Sequence, residues 1–558
     1  MGTLDGVPSD QWPKEPYLYG LEDAEGTIRV HLAQEERLKK SGGSLATEKF
    51  QVAVDFALRL IACTGWPIDN VAKAKIAEML ERELAPEKHK LCLELGLIRA
   101  AVEPRVKNKK GELTKGKKET RDLKAIGALI HDVCVEHGLE IVLTDKGDEI
   151  ADGGGVEALK QRRPADWQRY ICQDAEVMEN VAPFNEALKE LKDVLELQKL
   201  VTTEIPRMGD LGMIWCGYDV IKETGRTSSA GEKKKKDKPP LYPSGNIQNV
   251  DPRARGCYVA PEGWVLYSVD YSSLEFCTFA QVCYSLFGFS AMRELLLEGH
   301  DPHAFLGAQM AYAIDSWFRD RAGGAGKERF DVYKTFLELS KSGVKPEKDF
   351  YKHYRTMAKP VGFGFPGGLA EKTLCSMAKA SYGVTITHDQ AKLFKELFYE
   401  VYPEGKLHKE WVSKTLQDGE DTYAYVTPFG MVRRGAKYCA AMNGTILQSP
   451  AAEGAKLATF EVVRACYDPT YNNGEPSILY NSRVLAFIHD EICGRVPEDD
   501  FMPERVAEVE RLMVASMKVV MPDVPIKAKG CLMRRWSKDA EPVFDRQGRL
   551  TIWTPKEN

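Results

Sequence analysis

The chain has 558 residues, 43% of them hydrophobic and 28% charged, with a formal net charge of −5. That length exceeds what one core can bury and predicts three or four packed units. The balance excludes a disordered chain, a membrane-spanning one and one that meets a polyanion through a global basic field.

Residues 1–45 are polar and too few to form a domain. The stretch 50–100 reads as helical. Phe56, Leu58, Leu60 and Ile61 are followed by an apolar-periodic segment from Val71 to Leu84, broken by Pro86. A lysine- and glycine-rich segment at 107–118, with Lys109 and Lys110, precedes a helix predicted over 121–137. Such a run is a solvated loop in isolation and a phosphate contact beside a nucleic acid. Turn signals at Asp145-Lys-Gly147 and the glycines 153–155 lead into paired helices at about 165–200. From about 210 the pattern shifts to short strand-like runs, Met213–Cys216 and Trp264–Val269. Helical sequence dominates 290–420, and strand patterns return at Tyr423–Thr427 and Val484–Val496. The layout is α+β, a β-containing base interrupted by a helical insertion. The 13 cysteines include no Cys-x-x-Cys pair, which fits a reducing cytosol better than a disulfide framework or zinc site. The N-terminus has no signal-peptide pattern.

Three segments carry chemistry. In Val269-Asp270-Tyr271-Ser-Ser-Leu-Glu275, an apolar strand ends on a carboxylate. In Phe487-Ile-His489-Asp490-Glu491, a tight polar turn separates two apolar runs. Magnesium takes one or two carboxylates plus substrate phosphates, and two such ions activate a hydroxyl and stabilise a leaving group. The plain alternative is that each Asp caps a turn. The third segment, Arg355 to Gly364, places Arg355 and Lys359 at i, i+4 on one helix face, with Phe363 one turn later. Cations there suit a triphosphate. An exposed basic helix is the alternative, but it has no use for the run Gly-Phe-Gly-Phe-Pro-Gly-Gly beginning at Gly362.

In this order the segments resemble the family A DNA polymerases, from about residue 45 to the C-terminus. The resemblance implies a right-hand fold with palm, fingers and thumb. Residues 1–45 then correspond to the end of an exonuclease domain and 46–210 to the thumb and the N-terminal part of the polymerase domain. The first part of the palm is 211–289, the fingers 290–422 and the second part of the palm 423–558. The implied activity is templated addition of dNTPs to a primer 3′-hydroxyl, in phage or plasmid replication and so in a host cytoplasm. Asp270, Asp490 and the Tyr271 carbonyl would hold two Mg2+ ions, with Mn2+ as a substitute, and Glu491 is a further acid beside them. Arg355 and Lys359 would take the β- and γ-phosphates, with Phe363 and Tyr271 in the same dNTP site. Glu275 would be the steric gate against a ribose 2′-hydroxyl.

Primer–template contacts implied by the resemblance fall on Arg226, Asn246, Gln248, Asn249, Arg253, Gln448, His489, Lys109 and Lys110. Arg226 and Asn246–Asn249 belong to two halves of one family segment, separated here by an insertion, 230–245, that includes Lys233–Lys236. Arg255 follows Arg253, and Arg433 follows Thr427-Pro-Phe-Gly430. Asn443 lies one position off the family spacing to Gln448. Other positions also depart from the family and point to a phage-type branch. Gly362 stands where Asn is usual, and Gly367 where a Tyr stacks at the template-base position. Pro360 and Pro366 predict a helix that bends or ends near 365. Phe365 is the candidate replacement for the missing ring.

Tyr19-Gly-Leu-Glu-Asp23 resembles the last motif of the family's 3′–5′ exonuclease, whose other acids would lie upstream. The segment is a packed remnant, the mark of a truncated chain, or a tail that completes a separate exonuclease subunit. Two other functions share these features. One is a non-catalytic primer–template-binding subunit of a split replicase. The other is a translesion or RNA-directed polymerase on the same fold.

Overall fold

The computed structural model describes residues 25–26, 28–37, 40, 46–85, 88–99, 120–222, 224–231 and 242–555. Tyr19, Asp23, Lys109, Lys110 and the lysines 233–236 lie outside the described residues. The centre is a six-stranded sheet built from β1 (Trp264–Tyr271), β2 (Arg483–Ile488), β3 (Glu491–Pro497), β4 (Ala528–Met533), β5 (Val543–Phe544) and β6 (Leu550–Trp553). Its spatial order is β2-β3-β1-β4-β6-β5. Both neighbours of β1 run antiparallel to it.

Strand β1 is apolar along most of its length because both faces are covered. Val265, Tyr267, Val269 and Tyr271 enter the largest core. Leu266, on the other face, enters a second core with Cys493, Cys531, Met533 and Trp536. The period of two therefore sends Ser268 and Asp270 to the second face, and Asp270 emerges where that core ends.

Helices cover the first face. α1 (Ala46–Thr64), α5 (Ser449–Tyr467) and α6 (Met502–Val520) pack together there. Val54, Ala57, Leu58 and Ile61 of α1 are buried in the same core as β1, so α1 belongs with the sheet and not with the module that follows it. That module has its own core, with Cys92, Ile126, Ile130, Leu159 and Leu188. A helix at Asn70–Glu83, capped by Asp69, leads into it, and a helix at Glu186–Lys199, capped by Asn185, leads back. Its helix Ala175–Val181 meets the helix Glu371–Tyr382 of the helical insertion.

The expected helical insertion is present between β1 and β2. It includes α2 (Leu274–Phe287) and α3 (Lys345–Gly364), and a short helix, α4 (Tyr438–Asn443), leads from it back toward α5. Pro360 lies inside α3, which stops at Gly364, as the two prolines predicted. No described helix is long and apolar enough to cross a membrane.

Candidate active site

Strands β2 and β3 form a hairpin with Ile488 paired to Glu491, leaving His489 and Asp490 as its two-residue turn. His489 has φ 59°, the left-handed conformation such turns require. Glu491 pairs with Asp270 on one side of β1, and Lys529 pairs with Asp270 on the other. The three side chains therefore share one face of the sheet. A cleft of about 600 Å³ is lined by Asp270, Asp490, Glu491, His489, Gln248 and Lys529.

Acid–base behaviour reflects that crowding. Burial in the cleft, then Asp490 and Glu491, push the Asp270 carboxyl up to about 7. Burial also raises Asp490, against the pull of Arg226 and His489. His489 is lowered by burial and by Arg226. Glu491 accepts hydrogen bonds from the Ser268 hydroxyl and, at 3.1 Å, from Cys493 Sγ. Carboxylates gathered this way repel one another until a cation joins them, and an all-oxygen donor set fits a hard divalent ion. Among the described residues no group of three or more His, Cys, Asp or Glu side chains is placed to hold a metal ion by itself. Magnesium needs none, since substrate phosphates and water complete its shell. The Tyr271 hydroxyl donates to the Met513 carbonyl at 2.7 Å, which anchors the backbone next to Asp270.

After β1 the chain turns through Ser273 at φ 54° into α2, whose first turn carries Glu275. Glu275 forms an ion pair with Arg226 at 3.7 Å. Both line a cavity of about 320 Å³ with Tyr271, Phe363, His489 and Asp490. Phe363 stacks on Phe276 at 5.3 Å between centroids and meets His303 edge-on at 5.1 Å. Gly362 permits this packing, because a Cβ there would stand 3.1 Å from the Phe276 ring. One and two turns back on α3 are Lys359 and Arg355. Arg355 Nε donates to Asp301 Oδ2 at 2.7 Å. Lys359 has no hydrogen-bond or ion-pair partner among the described residues. Burial lowers His303, beside these cations, to about 4.

The remaining predicted contacts fall into two groups. Asn249 is exposed, and Gln448 is half-buried with no hydrogen-bond partner among the described residues. Others are already engaged. Gln248 was expected to contact primer–template, but it is buried, and its Nε2 donates to Thr227 Oγ1 at 3.0 Å and to the Phe487 carbonyl at 3.1 Å. Both donors of its amide are engaged, one on Thr227 and one on strand β2 of the hairpin. Asn246 Oδ1 accepts from the Gln248 backbone and the Ser229 hydroxyl. Arg253 grips Asp251 through two nitrogens at 2.9 and 2.7 Å and reaches Glu196 at 3.5 Å. Arg255 lies over the Trp536 ring at 4.3 Å. Phe365 cannot replace a template-stacking ring. It is 0% exposed and packs near Phe398.

Lys529 and Asp301 were not among the expected site residues. The alternation Lys527-Ala-Lys529 marks a strand edge, but its place beside Asp270 is a fact of register. Asp301 caps the helix Pro302–Ile314, a legible role, while its link to Arg355 spans 54 positions.

No protein-family model matches the chain. Its fold resembles that of a solved polymerase domain. It is similar to the POL domain of Pol1 from M. smegmatis in complex with DNA primer-template and dNTP, at TM-score 0.54 and 19% identity, over 87% of this chain and 70% of that one. In sequence it is 25% identical to DNA polymerase I of Aquifex aeolicus over 405 residues, 72% of this chain and 56% of the relative. It is 24% identical to the thermostable DNA polymerase I of Thermus filiformis over 393 residues, 66% of this chain and 38% of the relative. The chain thus spans about half or less of the length of these relatives. These relatives are all DNA polymerase I proteins, and it is to them that the chain is similar in sequence.

Proposed function

We propose that the chain is a DNA-templated DNA polymerase that adds dNTPs to a primer 3′-hydroxyl with two divalent ions, Mg2+ or in its place Mn2+. One observation carries this reading. The carboxylate cluster of Asp270, Asp490 and Glu491 adjoins a cavity shared by Phe363, Glu275 and Arg226, at the end of a helix whose preceding turns carry Lys359 and Arg355. Divalent ions bound at Asp270, Asp490 and the Tyr271 carbonyl would lower the pKa of the 3′-hydroxyl and neutralise charge on the leaving pyrophosphate.

The protein's own groups do the rest. Lys359, without a hydrogen-bond or ion-pair partner among the described residues, and Arg355, oriented by Asp301, hold the β- and γ-phosphates where charge develops. Phe363, fixed by Phe276 and His303, is a rigid wall for the sugar and base. Glu275, held by Arg226, occupies the space of a 2′-hydroxyl. Asn249, Gln448, Lys109 and Lys110 bind primer–template, the lysines through phosphate. In this reading 88–199 contains the thumb, the helical insertion is the fingers and the six-stranded sheet is the palm.

A non-catalytic scaffold explains the site less well, because crowded carboxylates cost stability that a binder has no reason to spend. The phage-type setting, and with it a host cytoplasm, rests on Gly362 and Gly367. A separate exonuclease completed by Tyr19 and Asp23 is a further proposal, tested by mixing the two chains and assaying mismatch removal. The polymerase reading is tested by extending a labelled primer on DNA, RNA and damaged templates with Asp270→Ala as control. Extension on DNA that requires Asp270 and a divalent ion supports it, and binding without extension supports the scaffold.

A further inference from the structure

At the end of the hairpin away from the His489–Asp490 turn, Arg483 of β2 pairs with Arg495 of β3, and Arg495 pairs with Leu266 of β1. Cross-strand partners share a face, so the two guanidinium groups are neighbours, and like charges set directly opposite destabilise a sheet. The face is the one that carries Asp270 and Glu491. Arg495 is separated from Asp270 by roughly 13 Å of β1, the four residues from Leu266 at about 3.3 Å each. Leu266 and Cys493 of the second core lie in between. The pair is therefore distinct from the carboxylate cleft, which neither arginine lines.

Both arginines are half-buried, and each is held by a ring. Arg495 lies over Trp264 at 4.9 Å and Arg483 over Tyr467 at 4.5 Å. The Tyr467 hydroxyl shares a hydrogen bond with the Thr64 hydroxyl at 3.0 Å, so its ring is itself fixed. Arg483 Nη1 donates to the Ser482 carbonyl at 2.8 Å. Arg495 Nε is buried with no hydrogen-bond partner among the described residues. Burial, then the facing Arg483, lower the pKa of Arg495. Among the described residues no carboxylate pairs with either one. The acids next to them in the chain are engaged elsewhere, Glu498 with Arg534 at 2.6 Å and Asp468 with Arg464 at 3.4 Å. Two adjacent positive charges are thus left without a counter-charge.

We propose that Arg483 and Arg495 form a binding site for a phosphate group, carried by a free anion or by a nucleic-acid strand. A guanidinium fork donates two parallel hydrogen bonds to an oxyanion. One carboxylate satisfies one fork, whereas a phosphate has oxygens enough for two. The rings restrict each fork to one plane and leave its edge to the ligand. The ligand brings the counter-charge that the fold does not supply. The site is separate from Arg355 and Lys359 and stands whether or not those two hold a triphosphate.

The test is calorimetric binding of inorganic pyrophosphate and, separately, of a single-stranded oligonucleotide to the full chain, without divalent ions and at fixed ionic strength. Arg355→Ala/Lys359→Ala is the background, so that α3 does not contribute. Into it are placed Arg495→Glu, Arg495→Gln or Arg483→Gln, with melting temperatures in parallel. Each lowers the affinity for one or both probes about tenfold or more, the loss expected when one partner of a charged hydrogen-bonded contact is removed. Loss for pyrophosphate identifies a free anion, and loss for the oligonucleotide alone identifies a strand phosphate. Arg495→Glu also raises the melting temperature in the absence of either probe, because it sets opposite charges where like ones face each other. Should Arg495→Glu fail to fold, the two glutamine variants carry the binding test. Unchanged affinity for both probes in folded Arg495→Gln and Arg483→Gln overturns the proposal. So does a folded Arg495→Glu with no gain in melting temperature, since the pair would then be neutralised within the protein.

Discussion

Arg226 and Glu275 meet at 3.7 Å across the mouth of the cavity that Phe363 and Asp490 also line. Residues 49 positions apart thereby form one wall of that cavity. The pair is about one-third exposed on each side, so it contributes to geometry more than to stability. Glu275→Ala should raise ribonucleotide use at least about tenfold in kcat/KM relative to dNTPs, a loss of roughly 1.4 kcal/mol of discrimination. Glu275→Gln, which keeps the bulk, should retain most of it. Equal discrimination in Glu275→Ala and wild type would remove Glu275 from the gate.

Arg355 and Lys359 stand on one helix face but do not stand alike. Arg355 is oriented by Asp301, which also accepts from the His303 and Ala304 amides at 2.9 and 3.2 Å. Asp301→Ala should therefore raise the apparent KM for dNTPs and also destabilise the protein by about 1 kcal/mol through the lost cap. Lys359→Ala should leave the melting temperature unchanged and lower kcat about a hundredfold. Pre-steady-state insertion and thermal unfolding on the same preparations separate the two. Loss of DNA affinity alone in both variants would make α3 a duplex contact.

His408 sets an acid limit. Its ring is buried, Nε2 lies 3.0 Å from the Thr445 hydroxyl, and burial lowers its pKa from 6.5 to about 3. Between those values the unfolded chain binds a proton that the folded protein refuses. This contribution to stability is therefore complete above about pH 6.5 and is lost as pH falls toward 3. Denaturant titrations from pH 7 to 4.5 should show a shallower decline for His408→Gln than for wild type. Parallel declines would mean that His408 titrates normally in the folded state.

The sequence made the chemistry more legible than its wiring. Asp270 at a strand end and Asp490 in a two-residue turn were readable because period-two patterns and turn residues are local signals. Arg355, Lys359 and Phe363 were readable because helical spacing puts them on one face, and the prolines foretold the end of α3. The pairs Arg226–Glu275, Arg355–Asp301 and Lys529–Asp270 were not, since register and long-range packing decide them. Gln248 looked like a free donor because sequence does not reveal burial, and Phe365 looked like an available ring for the same reason. The π-turn at Gly444–Gln448, between α4 and α5, shows in sequence only as the one-position offset of Asn443. Helix α1 has an apolar face that suits the thumb or the palm equally well, and only the packed core assigns it.

The central claim is that Asp270 and Asp490 serve chemistry and not DNA affinity. Single-turnover incorporation of one correct dNTP by Asp270→Ala and Asp490→Ala, with primer–template affinity measured on the same samples, tests it most directly. The account predicts a rate at least about a thousandfold below wild type, roughly 4 kcal/mol of barrier, with affinity within about threefold because phosphate contacts supply it. A rate within about tenfold of wild type for either variant, about 1.4 kcal/mol, would contradict the account and remove that carboxylate from the metal site.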